Sequence, residues 1–108
     1  MVYHLVNTLN NRTYVGKTDN PTRRLSQHRR NPPARLRSDL LAVGKTFDDI
    51  VLFAIAHECA TLRAASHFEQ LDIARLDTRS RSKGYNTLRG GSVQTDPQYR
   101  YFRSHDIV

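Results

Sequence analysis

Apolar positions near the start of the chain fall into two short runs, "VYHLV" at 2–6 and "RTYVGK" at 12–17, separated by the polar "NTLNN". Both runs are rich in β-branched and aromatic residues, and the asparagines between them supply turn chemistry. The pattern predicts an antiparallel hairpin. "DNP" at 19–21 reads as a helix start, with Asn20 as cap and Pro21 at the first helical position. "TRRLSQHRR" continues as a short basic helix, and "NPP" at 31–33 stops it. "ARLRSDLLAV" at 34–43 predicts a second helix ending near Gly44. The continuous apolar run "DIVLFAIAH" at 49–57 predicts a third strand, and the most buried one. A long helix is expected over 61–79, then a loop "SKGYNTLRGG" at 82–91 and a polar tail. The order ββααβα implies an α/β fold with a small three-stranded antiparallel sheet flanked by helices. A doubly wound sheet is excluded because the first two strands form a hairpin. A chain of 108 residues suits one domain.

Charge narrows the class of partner. Seventeen Lys and Arg against ten Asp and Glu give a net charge of +7, with a pI of about 10.2. That balance points to a polyanion, above all nucleic acid. Only three of the seventeen basic residues are Lys, and the Arg fork matches phosphate better than an ammonium does. Cys59 is the single cysteine, so no intrachain disulfide and no Cys-rich zinc site can form, and a reducing compartment fits. The N-terminal stretch has no long apolar core of a signal peptide, and no apolar run approaches membrane-spanning length. We therefore expect no membrane partner and a cytoplasmic location, in a bacterial or phage-infected host cell.

Some residues are placed as if for chemistry. Residues 23–37 hold Arg23, Arg24, Arg29, Arg30, Arg35 and Arg37 with His28, and no acid. Such a block is either a solvated face or a surface for a polyanion. Arg24 and His28 stand four apart and share one helix face. On the long helix, Leu62, Ala65, Glu69, Ile73 and Leu76 fall on one stripe, which puts a carboxylate among apolar neighbours. Burying it alone is costly. It is either paired with an Arg or faces a cleft as a metal ligand or catalytic acid. Tyr3 and Tyr14 lie on strands that should pair, where tyrosines commonly just pack. Gly16 inside a strand implies close backbone approach or a bulge.

Together these pieces resemble the GIY-YIG nuclease family, in the form of the catalytic domains of phage homing endonucleases. Val2-Tyr3 stands for the end of the first motif and Tyr14-Val15-Gly16 for the second. Arg24 and His28 follow as in the family's arginine–histidine helix. Glu69 in "FEQLDI" matches the helix glutamate, and Asn86 in "GYN" the late asparagine. Met1 stands where the first motif usually has glycine. The resemblance covers roughly residues 1–91. It implies a metal-dependent DNA endonuclease in that span, with the tail 92–108 packed on the domain or used in DNA or subunit contact. It further implies Tyr3 as general base for an attacking water and Tyr14 as a group orienting water or phosphate. Arg24 would stabilise the transition state, and His28 would bond Tyr3 or the phosphate. Lys17 is the rival for proton transfer, and Asn86 would hold the phosphate or brace the site.

Glu69 would be the metal ligand, for Mg2+ or Mn2+ retaining several waters. A phenol of ordinary pKa, about 10, is a poor base at neutral pH. Arg24, His28 and the metal would therefore have to favour the phenolate. Arg23, Arg29, Arg30, Arg35, Arg37 and Arg89 are the expected DNA contacts, no small-molecule cofactor is expected, and the chain would act as monomer or homodimer. A basic nucleic-acid-binding module without catalysis is the alternative. It explains the charge, but neither Glu69 nor the ordered tyrosines.

Overall fold

A computed structural model describes residues 1–88 and 90 of the chain. Its elements are β1 (Val2–Asn7), β2 (Thr13–Lys17), α1 (Pro21–Arg30), α2 (Ala34–Val43), α3 (Phe47–Ile50), β3 (Val51–His57) and α4 (Leu62–Leu76). The three strands form one sheet in the order β2-β1-β3, and both pairings are antiparallel. The hairpin turn is closed by the Asn7 N–H donating to the Arg12 carbonyl at 2.9 Å. Asn11 takes a φ of 62° there, a left-handed conformation that asparagine tolerates.

The helix boundaries follow local chemistry. The Asn20 side chain accepts from the Arg23 N–H at 3.0 Å and caps α1, with Pro21 at the first turn. Gly44 closes α2 at φ 66°, where a Cβ would be strained. Thr61 caps α4 by accepting from the Ala64 N–H at 3.1 Å. This helix ends at Leu76, short of the expected 79, because Asp77 turns left-handed at φ 55°.

The third strand departs from expectation. It begins at Val51, because residues 47–50 wind into the single turn α3, where the Asp49 carboxylate accepts from the Thr46 N–H at 3.0 Å. Ile50 is therefore a buried helix residue. Nor is β3 the most buried strand: it is an edge, and Leu52 and Ile55 are 55% and 40% exposed. The central strand is β1, with Val2, Tyr3 and Leu5 fully buried. An unbroken apolar run signals strand, but not whether it has neighbours on both sides.

Alternation along β1 splits the core into two layers. On one face Tyr3 and Leu5 pack with Leu36, Leu40, Phe47, Ile50 and Tyr85. On the other, Val2 and Val15 pack with Ala65 and Ile73 of α4. A polar cluster also pins α4 to the sheet. Buried Asp72 meets His4 Nε2 at 2.8 Å, His57 Nε2 at 2.9 Å and Arg75 at 3.2 Å. Burial alone would raise the Asp72 pKa. The His4 and Arg75 hydrogen bonds and the nearby His57 outweigh it and hold the carboxyl below its ordinary value. No helix among the described residues is long and apolar enough to cross a membrane.

Candidate active site

Strand register creates the site. Tyr3 on β1 pairs across from Gly16 on β2, and Val2 pairs across from Lys17. Paired residues share a face, so Tyr3 points towards α1 while Lys17 points towards α4. A Cβ at position 16 would collide with the phenolic oxygen of Tyr3. Glycine is needed here because the tyrosine ring crosses β2 directly over its backbone.

Helix α1 then delivers two side chains to that hydroxyl. His28 Nε2 lies 2.7 Å from the Tyr3 oxygen, and Arg24 Nη1 lies 3.5 Å from it. The same Arg24 nitrogen reaches the Lys17 carbonyl at 3.4 Å, and its Nε donates to Gln27 at 2.9 Å. The guanidinium can only donate, and the phenol donates to His28 Nε2 when the imidazole carries its own proton on Nδ1. The Tyr14 ring stands edge-on to His28, with centroids 5.6 Å apart, and Phe53 stacks on Tyr3 at 5.2 Å.

Burial sets the protonation states. It pushes the Tyr3 phenol well above its ordinary value, with Tyr14 adding to the rise and Arg24 opposing it. Burial, then the Arg24 charge, lower His28 to about 4. At neutral pH the pair is a neutral phenol bonded to a neutral imidazole. Arg24 alone does not produce the phenolate: desolvation outweighs it.

Across the sheet, α4 contributes the carboxylate. Glu69 Oε1 lies 3.2 Å from Lys17 Nζ, with side chains 7% and 0% exposed. The ion pair weighed for Glu69 is therefore present, with Lys17 as partner in place of an arginine. Lys17 Nζ also donates to Ser66 Oγ at 2.9 Å. The backbone at Gly90 packs so closely that a Cβ there would lie 2.8 Å from Glu69 Oε1. The two halves communicate, because the Glu69 charge is one of the influences raising the Tyr3 phenol.

Other expected residues have different surroundings. The buried Asn86 amide clamps the β2 backbone: Nδ2 donates to the Val15 carbonyl at 2.9 Å and Oδ1 accepts from the Val15 N–H at 2.8 Å. Asn86 thus braces the strand that carries Tyr14, Gly16 and Lys17. Arg35 is half-buried, and its Nη1 donates to the Arg79 and Asn86 carbonyls at 3.0 and 3.1 Å. Arg29 is exposed and paired with Asp48 at 2.8 Å. Arg23, Arg30 and Arg37 are exposed. Arg89 and the tail 92–108 lie outside the described residues.

Sequence reasoning missed Ser66 and Gly90. The signal for Ser66 was its place three residues before Glu69 on the same helix face. Nothing in the sequence pattern pointed Gly90 at the carboxylate.

Comparison with known proteins gives the family and the fold. The family model of the GIY-YIG catalytic domain matches residues 1–86. A glutamate-to-alanine mutant of the catalytic domain of intron endonuclease I-TevI superposes with a TM-score of 0.70. It is 21% identical, over 83% of this chain and 94% of that one. The catalytic domain of homing endonuclease I-TevI gives a TM-score of 0.68 at 21% identity, over 81% of this chain and 96% of that one. At this identity the likeness speaks for the fold. No curated protein matches the chain significantly in sequence.

Proposed function

Because the chain belongs to the GIY-YIG family, we propose that it is a DNA endonuclease that hydrolyses phosphodiester bonds at the site around Tyr3. The observation that carries this reading is the convergence of three residues from separate elements. The Tyr3 hydroxyl meets His28 at 2.7 Å and Arg24 at 3.5 Å, over a glycine that makes room for it.

Neutral His28 is placed to accept the proton of the phenol, and the negative charge of a bound phosphate would raise its low pKa towards that task. As Tyr3 takes a proton from the attacking water, its own proton passes to His28 Nε2. The water oxygen bonds to phosphorus and one ester oxygen leaves. Arg24 is half-exposed and holds the phenol only by a long bond. Drawn onto the phosphate, it uncovers the hydroxyl and neutralises charge on the phosphoryl oxygens. Tyr14, edge-on to His28, limits where water and phosphate can sit.

Whether the residues suit a divalent metal is a matter of donor chemistry. Among the described residues, no three His, Cys, Asp or Glu side chains gather to hold one unaided. A protein cage for zinc therefore does not fit. A single carboxylate does fit Mg2+ or Mn2+, which keep waters and take substrate phosphate oxygens. The Lys17 ammonium beside Glu69 holds that carboxylate in its charged form, and a metal would have to compete with it. Glu69 would hold the ion, which when bound supplies Lewis-acid polarisation of the phosphoryl group.

Exposed Arg23, Arg30 and Arg37 would follow the DNA backbone. A binding module without catalysis accounts for these arginines, but not for a buried phenol aimed at a neutral histidine. The test is incubation with supercoiled plasmid and with single-stranded DNA, in Mg2+ or EDTA, followed by mapping of the ends. Cleavage only with metal supports the proposal, and binding without cleavage under any divalent ion overturns it.

A further inference from the structure

Glu69 already has a cation beside it. Lys17 Nζ lies 3.2 Å from its carboxylate, and the lysine side chain is wholly inaccessible to solvent. The same ammonium donates to Ser66 Oγ at 2.9 Å, and Ser66 is only 4% exposed. Ser66 and Glu69 stand three apart on α4, so one helix face presents a neutral and a charged acceptor to the same lysine. A divalent ion on Glu69 would repel an ammonium this close, and the repulsion is strong in so dry a place. Lys17 is fully buried near the end of β2, where it pairs with Val2. It needs an acceptor that the metal does not claim.

We propose that Ser66 is the positioning residue for metal loading: it holds the Lys17 ammonium when Glu69 turns to a divalent cation. In the metal-free protein Lys17 serves as the counter-ion of Glu69, and the serine hydroxyl is the acceptor that keeps it in place as the carboxylate is given up. This rests on the reading of Glu69 as the metal ligand. Without the hydroxyl, Lys17 leans harder on Glu69, and an incoming ion must displace a tighter pair. Without the ammonium, the ion pair with Lys17 no longer competes with the metal.

The test measures Mn2+ affinity of the DNA-free protein by calorimetry and by the loss of the free Mn2+ EPR signal. It compares wild type, Ser66→Ala, Ser66→Thr and Lys17→Met, with thermal melts in EDTA to verify folding. Ser66→Ala should bind Mn2+ more weakly, by up to about tenfold, because the hydroxyl's bond to Lys17, already present without metal, counts for more once Glu69 leaves the ammonium. Ser66→Thr, which keeps the hydroxyl, should bind close to wild type, and Lys17→Met should bind about tenfold or more tightly than wild type. Wild-type binding with an unchanged affinity in Ser66→Ala overturns the role of Ser66 while leaving Glu69 as ligand. If Ser66→Ala does not fold, Lys17→Met decides, and an equal or weaker affinity there overturns the proposal. No Mn2+ binding by any of the proteins overturns the metal reading of Glu69, and this inference with it.

Discussion

Acid should strike this fold first at His28. The imidazole is 9% exposed, and burial followed by the Arg24 charge lowers its pKa from 6.5 to about 4. The unfolded chain takes up this proton near pH 6.5 and the folded chain only near 4. Across that window the unfolded state binds more protons, so stability falls as pH falls. The contribution of neutral His28 is intact above about pH 6.5 and gone by about pH 4. The full gap is worth about 3 kcal/mol, and about 2.5 kcal/mol is lost by pH 4.5. That is a large share of the roughly 5–15 kcal/mol that holds a domain together. The assay is urea unfolding followed by circular dichroism at pH 7 and pH 4.5, for wild type and His28→Gln. Glutamine does not titrate and can still accept from the Tyr3 hydroxyl. The remaining histidines and carboxylates are common to both proteins and cancel in the comparison. Wild type should lose about 2.5 kcal/mol more than His28→Gln over this range. Equal losses would mean that His28 titrates normally in the folded protein, and the neutral Tyr3–His28 pair would have to be abandoned.

Gly16→Ala drives a methyl group into the Tyr3 hydroxyl; it should cost about 1–3 kcal/mol in urea melts and abolish cleavage, and full activity would refute the close crossing. Asn86→Ala strips both partners from the buried Val15 peptide groups, and should lower stability by about 2–3 kcal/mol; an unchanged urea midpoint would show that the clamp carries no weight. Glu69→Gln leaves the Lys17 ammonium buried beside a neutral amide, so it should lose about 3 kcal/mol of stability as well as activity, and Lys17→Met in the same chain should restore much of that stability. Reversing Arg23, Arg30 and Arg37 together should flatten the salt dependence of DNA binding by about 0.9 for each phosphate no longer neutralised; an unaltered slope in filter binding would move the DNA face elsewhere.

The fold was legible where local chemistry decides it. Asn20-Pro21 opened α1, Gly44 closed α2, and the asparagines of 7–11 turned the hairpin as their side chains dictate. The rank of the third strand was not legible, because an apolar run carries no record of which strand lies at the sheet centre. Helical spacing put Arg24 and His28 on one face, Gly16 left open a close approach or a bulge, and only the family resemblance joined Tyr3 to them. The resemblance left Asn86 either holding phosphate or bracing the site, and its partner, the Val15 backbone, like the carbonyls at 79 and 86 that Arg35 meets, comes near only in the folded chain. Glu69 showed in sequence as a charge in an apolar stripe. Its partner lies on the opposing strand, and the cross-strand register that aims Lys17 at α4 appears only once the hairpin is paired.

The central claim is that the Tyr3 hydroxyl, handing its proton to His28, takes the proton of the attacking water. Single-turnover cleavage of a plasmid at saturating protein, with Mg2+, tests it by comparing wild type with Tyr3→Phe, while DNA affinity is measured on the same preparations. The variant removes one oxygen and keeps the ring stacked on Phe53, so binding and fold should persist. Affinity should stay near normal while the rate falls by about 10²–10⁴. Cleavage by Tyr3→Phe at the wild-type rate would contradict it, and would pass the base to Lys17 or to another water-activating group.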